Sequence, residues 1–418
     1  MRKIFILSSF ALAGMITMLS CTKTGEGADH TQTIVLPQNG ASVIDASNEV
    51  AFNFLKATLQ EEPGNNNKLV SPLSIYLALS MVYNGADHAT KDSIAQTLRV
   101  SGIDINSLNT VCQSLITQLP KEDNKVQLAI ANSIWYRQNS YQPLSPFLKD
   151  IQNYYEATVQ PLNFDDPQSV NTINNWVSQK TNDKIPTIIK NISSNDLMYL
   201  INAIYFNGSW QNAFKTSDTH NDVFYLQNGS TVTTSFMQQT VTLNRFTDSS
   251  MTMIELPYGG GKSYSMYIAL PKNMQQPVSA FASLMNKDIF KNAIGKMDSV
   301  NLQLEIPKWE YSYAIDDMKP ELSLLGMGIA FSDAADFSKI YDPNQVPVHV
   351  SKAIHKTYIK VNEEGTQAAA ATAIGISFTS VSQGPPVLKL DHPFLYGIIE
   401  KQTGAVLFVG IVNDPSVN

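Results

Sequence analysis

The sequence predicts an α+β fold in a single large domain, and three observations carry that reading. Apolar residues recur at helical spacing mainly through the first 180 of 418 positions, whereas β-rich runs dominate from 198 onward. Several of those runs are apolar at consecutive positions, which suits central strands covered on both faces. No linker and no internal repeat divides residues 45–418, although the length alone would suit two or three domains of roughly 150 residues.

Residues 1–20 read as a targeting segment outside that fold. Arg2 and Lys3 precede a charge-free run, 4–19, that is too short to cross a bilayer comfortably. It closes as Thr17-Met18-Leu19-Ser20-Cys21, which resembles a bacterial lipobox, with Met18 where leucine is usual. Cys21 would then carry the lipid and become the new N-terminus of an exported protein held in the bacterial cell envelope; plain secretion past an incidental cysteine is the alternative. Removing 1–20 takes away two positive charges and no acid, lowering the net charge from −7 to −9. Residues 21–44 are poor in large apolar side chains and hold Gly25, Gly27, Pro37 and Gly40, as a flexible tether would. With Cys21 acylated, Cys112 stands alone, so neither a disulfide nor a cysteine-based metal site is expected. Its spacing with Leu108, Val111 and Leu115 places it in a helix core rather than at a reactive site.

The elements follow in order. Val50, Phe54 and Ala57 mark an amphipathic helix over 46–59. Pro63-Gly64-Asn65-Asn66-Asn67 is a loop. Ser71 as N-cap with Pro72 in the first turn opens a helix running to Tyr83, apolar nearly all round and therefore buried. Further helices fit 88–98, 105–118, 143–155 and 169–180. Strands fit 128–136, 198–206, 251–256, 263–270, 300–306, 353–361, 394–400 and 406–412.

Familiar chemistry is absent. Gly259-Gly260-Gly261-Lys262 lacks the spacing of a phosphate-binding loop and reads as a hairpin turn. There is no Gly-x-Ser-x-Gly and no His-Glu-x-x-His. The histidines do not cluster at ligand spacing; His349 and His355 would share one strand face, with no third ligand. No catalytic constellation, metal or cofactor is expected, and no basic patch suggests nucleic acid. The stretch 101–127 holds only Lys121 and Lys125, beside Glu122 and Asp123, which offers a polyanion little.

The informative stretch is 353–412. An alternating strand, Ala353 to Val361, runs into Asn362-Glu363-Glu364-Gly365-Thr366-Gln367, then into six small residues from Ala368 to Ala373. Residues 366–384 hold no Asp, Glu, Lys or Arg, unusual for an exposed loop. Small side chains would let such a segment slip between two strands, so a second, buried state is written into it. An Ala-rich helix or a plain linker is the blander alternative, but β-branched residues and Gly375 follow.

Here the sequence resembles the serpin family, over nearly all of 45–418. Ser71-Pro72-Leu73-Ser74, Asn175-Trp176-Val177 with Thr181 and Lys184-Ile185, and Asn202-Ala203-Ile204-Tyr205-Phe206-Asn207-Gly208 with Trp210 stand in family order. So do Leu304-x-Ile306-Pro307-Lys308-Trp309, Ala335-Asp336-Phe337-Ser338 and Asp391-His392-Pro393-Phe394. The resemblance implies three β-sheets, eight or nine helices and an exposed reactive loop, about 363–386. It implies an inhibitor of serine endopeptidases, extending to cysteine endopeptidases, and no enzyme: a protease attacks the loop, the acyl-enzyme forms, and the loop inserts into the main sheet. A non-inhibitory member that is a substrate or binding protein is the alternative, with an envelope ligand-binding lipoprotein behind it.

By the same resemblance Glu363, Glu364, Gly365 and Thr366 form the hinge, with Ala368, Ala369, Ala370 and Ala371 following into the sheet. Ser71, Ser74, Asn202 and His355 match a buried polar cluster where the sheet opens, and Trp210 the loop entry; ordinary core packing would also explain them. Seventeen residues from Glu363, the family interval, reach Thr379, so the reactive bond would be Thr379-Ser380. Phe378, Val381 and Ser382 are alternatives if the register slides. With no Arg or Lys between 361 and 388, the expected partner is an elastase-like, chymotrypsin-like or subtilisin-like endopeptidase, met by a monomer that touches the membrane only through its lipid.

Overall fold

The computed structural model describes residues 32–261, 263–366 and 384–417. Six helices lead the chain: α1 (Gly40–Glu61), α2 (Pro72–Gly85), α3 (His88–Thr97), α4 (Ile105–Gln118), α5 (Ser145–Tyr155) and α6 (Gln168–Lys180). Three shorter ones follow, α7 (Val278–Leu284), α8 (Lys287–Gly295) and α9 (Lys319–Leu322). Strands β1 (Lys68–Val70), β2 (Val126–Arg137), β3 (Thr158–Leu162) and β4 (Met198–Ser209) are interleaved with the first six helices. Then come β5 (His220–Tyr225), β6 (Thr231–Thr247), β7 (Met251–Pro257), β8 (Tyr264–Pro271), β9 (Asp298–Pro307) and β10 (Trp309–Ile315). The last are β11 (His355–Asn362), β12 (Gly365–Thr366), β13 (Val387–Lys389), β14 (Phe394–Glu400) and β15 (Val406–Val412).

A six-stranded sheet runs in the order β10-β11-β12-β4-β2-β3. A nine-stranded system runs β1-β15-β14-β8-β7-β6-β9-β13, with β5 on β6. The three sheets expected reduce to two hydrogen-bonded systems because β6 passes from one layer into the next. Its end, Arg245–Thr247, pairs with β7, while Phe236–Arg245 pairs with β9 and Thr231–Phe236 with β5. Helix α2 lies beneath the six-stranded sheet and is buried all round, as its uniform apolarity predicted. Helix α6 covers the opposite face, where Ile173 and Val177 pack with Trp135, Ile201 and Ala203. Cys112 is buried in α4, and burial pushes its thiol up to about 12, in keeping with a packing role.

Two local expectations change and a third holds. Ser71 occupies the N-cap position of α2, but its hydroxyl donates to the Leu407 carbonyl at 2.8 Å instead of capping, because that helix start is wedged under β15. His349 lies in the loop before β11, so it shares no strand with His355. The Gly259-Gly260-Gly261 turn does close the β7–β8 hairpin, with Gly259 and Gly261 at φ 55° and 77°.

The segment expected as a tether, 21–44, lies against the body from Gln32 onward. Gln32 N donates to the Glu122 carbonyl at 2.9 Å, and the Ile34 backbone exchanges two hydrogen bonds with the Gln402 side chain. Ile34 is buried, and α1 begins at Gly40. The apolar run Ile34-Val35-Leu36 is too short to reveal this seam.

Beneath the seam two carboxyls meet. Glu122 and Glu400 are both buried, near enough for each carboxyl to act on the other's proton. Glu400 also accepts from the backbone N–H groups of Gln402 and Thr403 and from the Thr403 hydroxyl. Burial and the Glu400 charge push Glu122 from the usual 4.5 to about 8, so Glu122 holds the shared proton at neutral pH. A raised carboxyl pKa stabilises the fold below the unfolded value and loses that contribution as pH rises through the folded one. Glu122→Gln keeps a donor and cannot titrate. Its melting temperature relative to the parent should therefore climb between about pH 5 and about pH 9. Parallel melting curves over that range would contradict the shared proton.

Candidate functional site

The hinge is built by a turn that only certain residues allow. Asn362 Oδ1 accepts from the backbone N–H of Glu364 at 3.1 Å and of Gly365 at 3.3 Å, reversing the chain after β11. Gly365 sits at φ 152°, and a Cβ there would lie 2.1 Å from the Gly208 carbonyl oxygen. No side chain fits that approach. The chain then enters the six-stranded sheet as β12, antiparallel to both neighbours. Thr366 lies opposite Val361 of β11 and Gly208 of β4.

Thr366 is held from below. Its hydroxyl meets the Tyr258 hydroxyl at 2.6 Å, and Thr366 is only 3% exposed. Tyr258 stacks on Trp210, ring centroids 4.6 Å apart and 14° from parallel. Trp210 grips the turn twice: its indole N–H donates to the Asn362 carbonyl at 2.9 Å and its backbone N–H to that of Glu364 at 2.8 Å. Phe214 N donates to the Glu363 carbonyl at 2.9 Å. The Glu363 carboxylate accepts from Thr219 Oγ1 at 2.8 Å and pairs with Lys308 Nζ at 3.1 Å. Burial pushes this carboxyl up, but its own backbone N–H, Thr219 and Lys308 outweigh burial and hold it below the usual range.

Below Thr366 the sheet is open. Among the described residues no ladder joins β4 to β11; β12 alone links them. A cavity of roughly 880 Å³ occupies the lower part of this slot, between the start of β4 and the residues leading into β11. Ile75, Leu79 and Val82 of α2 line it, with Met318 and Phe331. On the other face the turn after α6 straps the slot. Lys184 Nζ lies 5.3 Å above the Tyr358 ring of β11, and Asn182 Nδ2 donates to Tyr205 OH of β4 at 3.3 Å.

The polar cluster expected where the sheet opens is partly assembled. Ser71 N donates to His355 Nε2 at 3.0 Å, so the neutral imidazole carries its proton on Nδ1. Burial lowers His355 to about 3 and keeps it neutral. Asn202 and Ser74 line the same cavity as His355. Asn202 Nδ2 donates to Asn132 Oδ1 at 2.7 Å, whereas its own Oδ1 is buried and has no partner among the described residues.

Glu363, Glu364, Gly365, Thr366 and Trp210 thus converge at the top of the slot, and Ser71, Ser74, Asn202 and His355 gather at its middle. Ala368, Ala369, Ala370, Ala371, Phe378, Thr379, Ser380, Val381, Ser382 and Cys21 lie outside the described residues. Sequence reasoning missed Tyr258 and Thr219, which carried no pattern of their own. It quoted Asn362 and Lys308 without giving either a role.

A split sheet with a strand begun at one end is the arrangement to set beside known proteins. A family model described as Serpin (serine protease inhibitor) matches residues 45–415. The chain belongs to the serpin family. An uncharacterized serpin-like protein of Methanosarcina mazei is 34% identical over 391 residues, covering 90% of this chain and 88% of that protein. A thermophilic serpin, Tengpin, solved in its native state, matches with a TM-score of 0.82 at 32% identity, over 92% of this chain and 97% of that one. Human thyroxine-binding globulin, solved in complex with its ligand, matches at 0.81 and 27% identity, over 91% of this chain and 100% of that one. The family is described as one of serine protease inhibitors, whereas the matching globulin was solved as a ligand complex.

Proposed function

We propose that this serpin inhibits serine endopeptidases by single-use trapping, and the observation that carries the proposal is β12. Two loop residues already form a strand between β11 and β4, with an unfilled slot ahead of them. The protease serine attacks the carbonyl carbon of Thr379, the bond to Ser380 breaks, and the Ser380 amine leaves with the proton. The loop, now free at one end, continues β12 downward and carries the acylated protease with it.

The register supports this reading residue by residue. Continued from Thr366, Ala368 would meet Ile359 and Phe206, and Ala370 would meet Thr357 and Ile204. Small residues thus come where the flanking side chains are large. Thr372 would lie between His355 and Asn202 and offer its hydroxyl to the orphaned Asn202 Oδ1. Ile374 would follow, opposite Ala353 and Leu200, into the wide apolar cavity. About fourteen inserted residues at roughly 3.3 Å each move the protease about 46 Å.

The finer assignments belong to the same proposal. The uncharged loop suits an elastase-like, chymotrypsin-like or subtilisin-like target. Export and lipid attachment at Cys21 are supported by the Arg2-Lys3 start and the apolar run before the cysteine. Among the described residues no helix is long and apolar enough to cross a membrane. Mixing the protein with such proteases should give an SDS-stable complex near the summed mass and a C-terminal fragment beginning at Ser380, or at Thr379 or Ser382 if the register slides. Clean cleavage without a complex would instead make it a non-inhibitory member.

A further inference from the structure

Away from the slot, three metal-ligand types gather on the face that β5, β6 and β9 share. His220 and Asp222 are two residues apart on β5 and so point the same way. Strand β6 separates β5 from β9, where Glu305 stands beside Gln238. One ligand atom each from His220, Asp222 and Glu305 all lie within 4.8 Å of one another. Counting histidines along the chain missed this group, because two of its members are carboxylates and one comes from a distant strand.

The group is already arranged around positive charge. Lys389 of β13 places its ammonium on Asp222 Oδ2 and 3.9 Å from Glu305 Oε2, over the Phe236 ring at 4.9 Å. Gln303 Nε2 donates to Glu305 Oε1 at 2.8 Å and orients that carboxylate. The imidazole is turned so that Nδ1 faces the Asp218 carbonyl at 3.4 Å, and Nε2 faces Asp222 Oδ2 at 3.8 Å. Were Nδ1–H donated to that carbonyl, Nε2 would offer its lone pair toward Asp222 Oδ2, and a carbonyl behind the far ring nitrogen is the usual support of a metal-bound histidine.

We propose that His220, Asp222 and Glu305 form a site for a divalent cation of the zinc class, for which the Lys389 ammonium is the built-in competitor. One imidazole nitrogen and two carboxylate oxygens, completed by water, suit zinc; a hard, oxygen-preferring cation gains nothing from the imidazole. Lys389 has a long, partly exposed stem and can swing into water when the metal enters. The exchange has a structural consequence. Lys389 sits on the strand that returns the reactive loop to the nine-stranded sheet, so the metal replaces a tie from β13 with one between β5 and β9.

The test is calorimetric titration of the full chain with zinc sulfate in a non-coordinating buffer. One equivalent should bind, and magnesium should give no matching heat. His220→Gln should weaken zinc at least tenfold, and Lys389→Met, which keeps the apolar stem, should tighten it at least tenfold. Zinc affinity unchanged in His220→Gln would overturn the site. Unchanged or weaker affinity in Lys389→Met would overturn the competition.

Discussion

Nicking the loop anywhere within 375–382 should raise the melting temperature by about 20 °C or more. A chain cut ordinarily lowers stability or leaves it unchanged, because it frees chain ends and adds no contact. In this serpin the cut releases a segment for which the sheet holds a place. The edges of the slot are strand backbone, β11 as far as His355 and β4 as far as Met198, so the added residues can pair on both sides to Thr372 and on β4 to Ile376. At about 1 kcal/mol net per hydrogen bond, with burial added, the gain exceeds roughly 10 kcal/mol. Filling the apolar cavity of roughly 880 Å³ with Ile374 and Ile376 adds dispersion contacts that the open slot lacks. For a chain of this length each kcal/mol is worth about 2 °C or somewhat less, which sets the expected rise. Intact and nicked protein must be compared at one scan rate, because unfolding of so large a β-rich chain is governed by kinetics. A nicked protein that melts at or below the intact one would reduce the open slot to a static feature.

Thr366→Arg should turn the inhibitor into a substrate. The seat of Thr366 is 3% exposed and bounded by Tyr258, Val361 and Gly208. A guanidinium placed there finds a phenol hydroxyl and no carboxylate, since Glu363 is already engaged by Lys308 and Thr219. Burying an unpaired charge costs several kcal/mol, enough to slow strand entry by two orders of magnitude or more. Hydrolysis of the acyl-enzyme then outruns insertion. The reactive bond is remote from residue 366, so its cleavage rate should change less than about twofold. The number of inhibitor molecules consumed per protease inactivated should rise at least tenfold. An unchanged stoichiometry would remove Thr366 from the mechanism. The same variant should also blunt the thermal gain on nicking, because both effects pass through the same seat.

How much of this was legible in the sequence follows from which signals are local. Helices α2 to α6 were readable because each carries its own periodicity, and Ser71-Pro72 marks a start even though the Ser71 hydroxyl serves β15 instead of the helix. Strands β14 and β15 were readable as uniformly apolar runs. The 17-residue β6 was missed: it is rich in Thr and Gln, half of it faces solvent, and it offers no continuous apolar run. Strand β12 could not be found by any local rule, since two residues have no period and owe their pairing to β11 and β4. The hinge residues were legible because Gly365 and Thr366 stand in a distinctive order beside a charge-free stretch. Their partners were not, because Tyr258, Thr219 and Lys308 lie between 55 and 144 positions earlier in the chain than the hinge residues they touch and are ordinary residues there. The Glu122–Glu400 pair shows the same limit, with 278 positions between its members.

A loop that becomes a strand between β11 and β4 must protect both of them. Hydrogen exchange of intact and nicked protein, read on peptides covering 198–208 and 355–362, reports that protection. These segments form the two sides of the slot, and below Thr366 no ladder joins them among the described residues. After nicking, the slot-facing amides of these strands, whose other edges already pair with β2 and β10, should exchange at least a hundredfold more slowly, while peptides from β14 and β15 should stay as they were. Unchanged exchange along both sides of the slot in a fully nicked sample would contradict insertion.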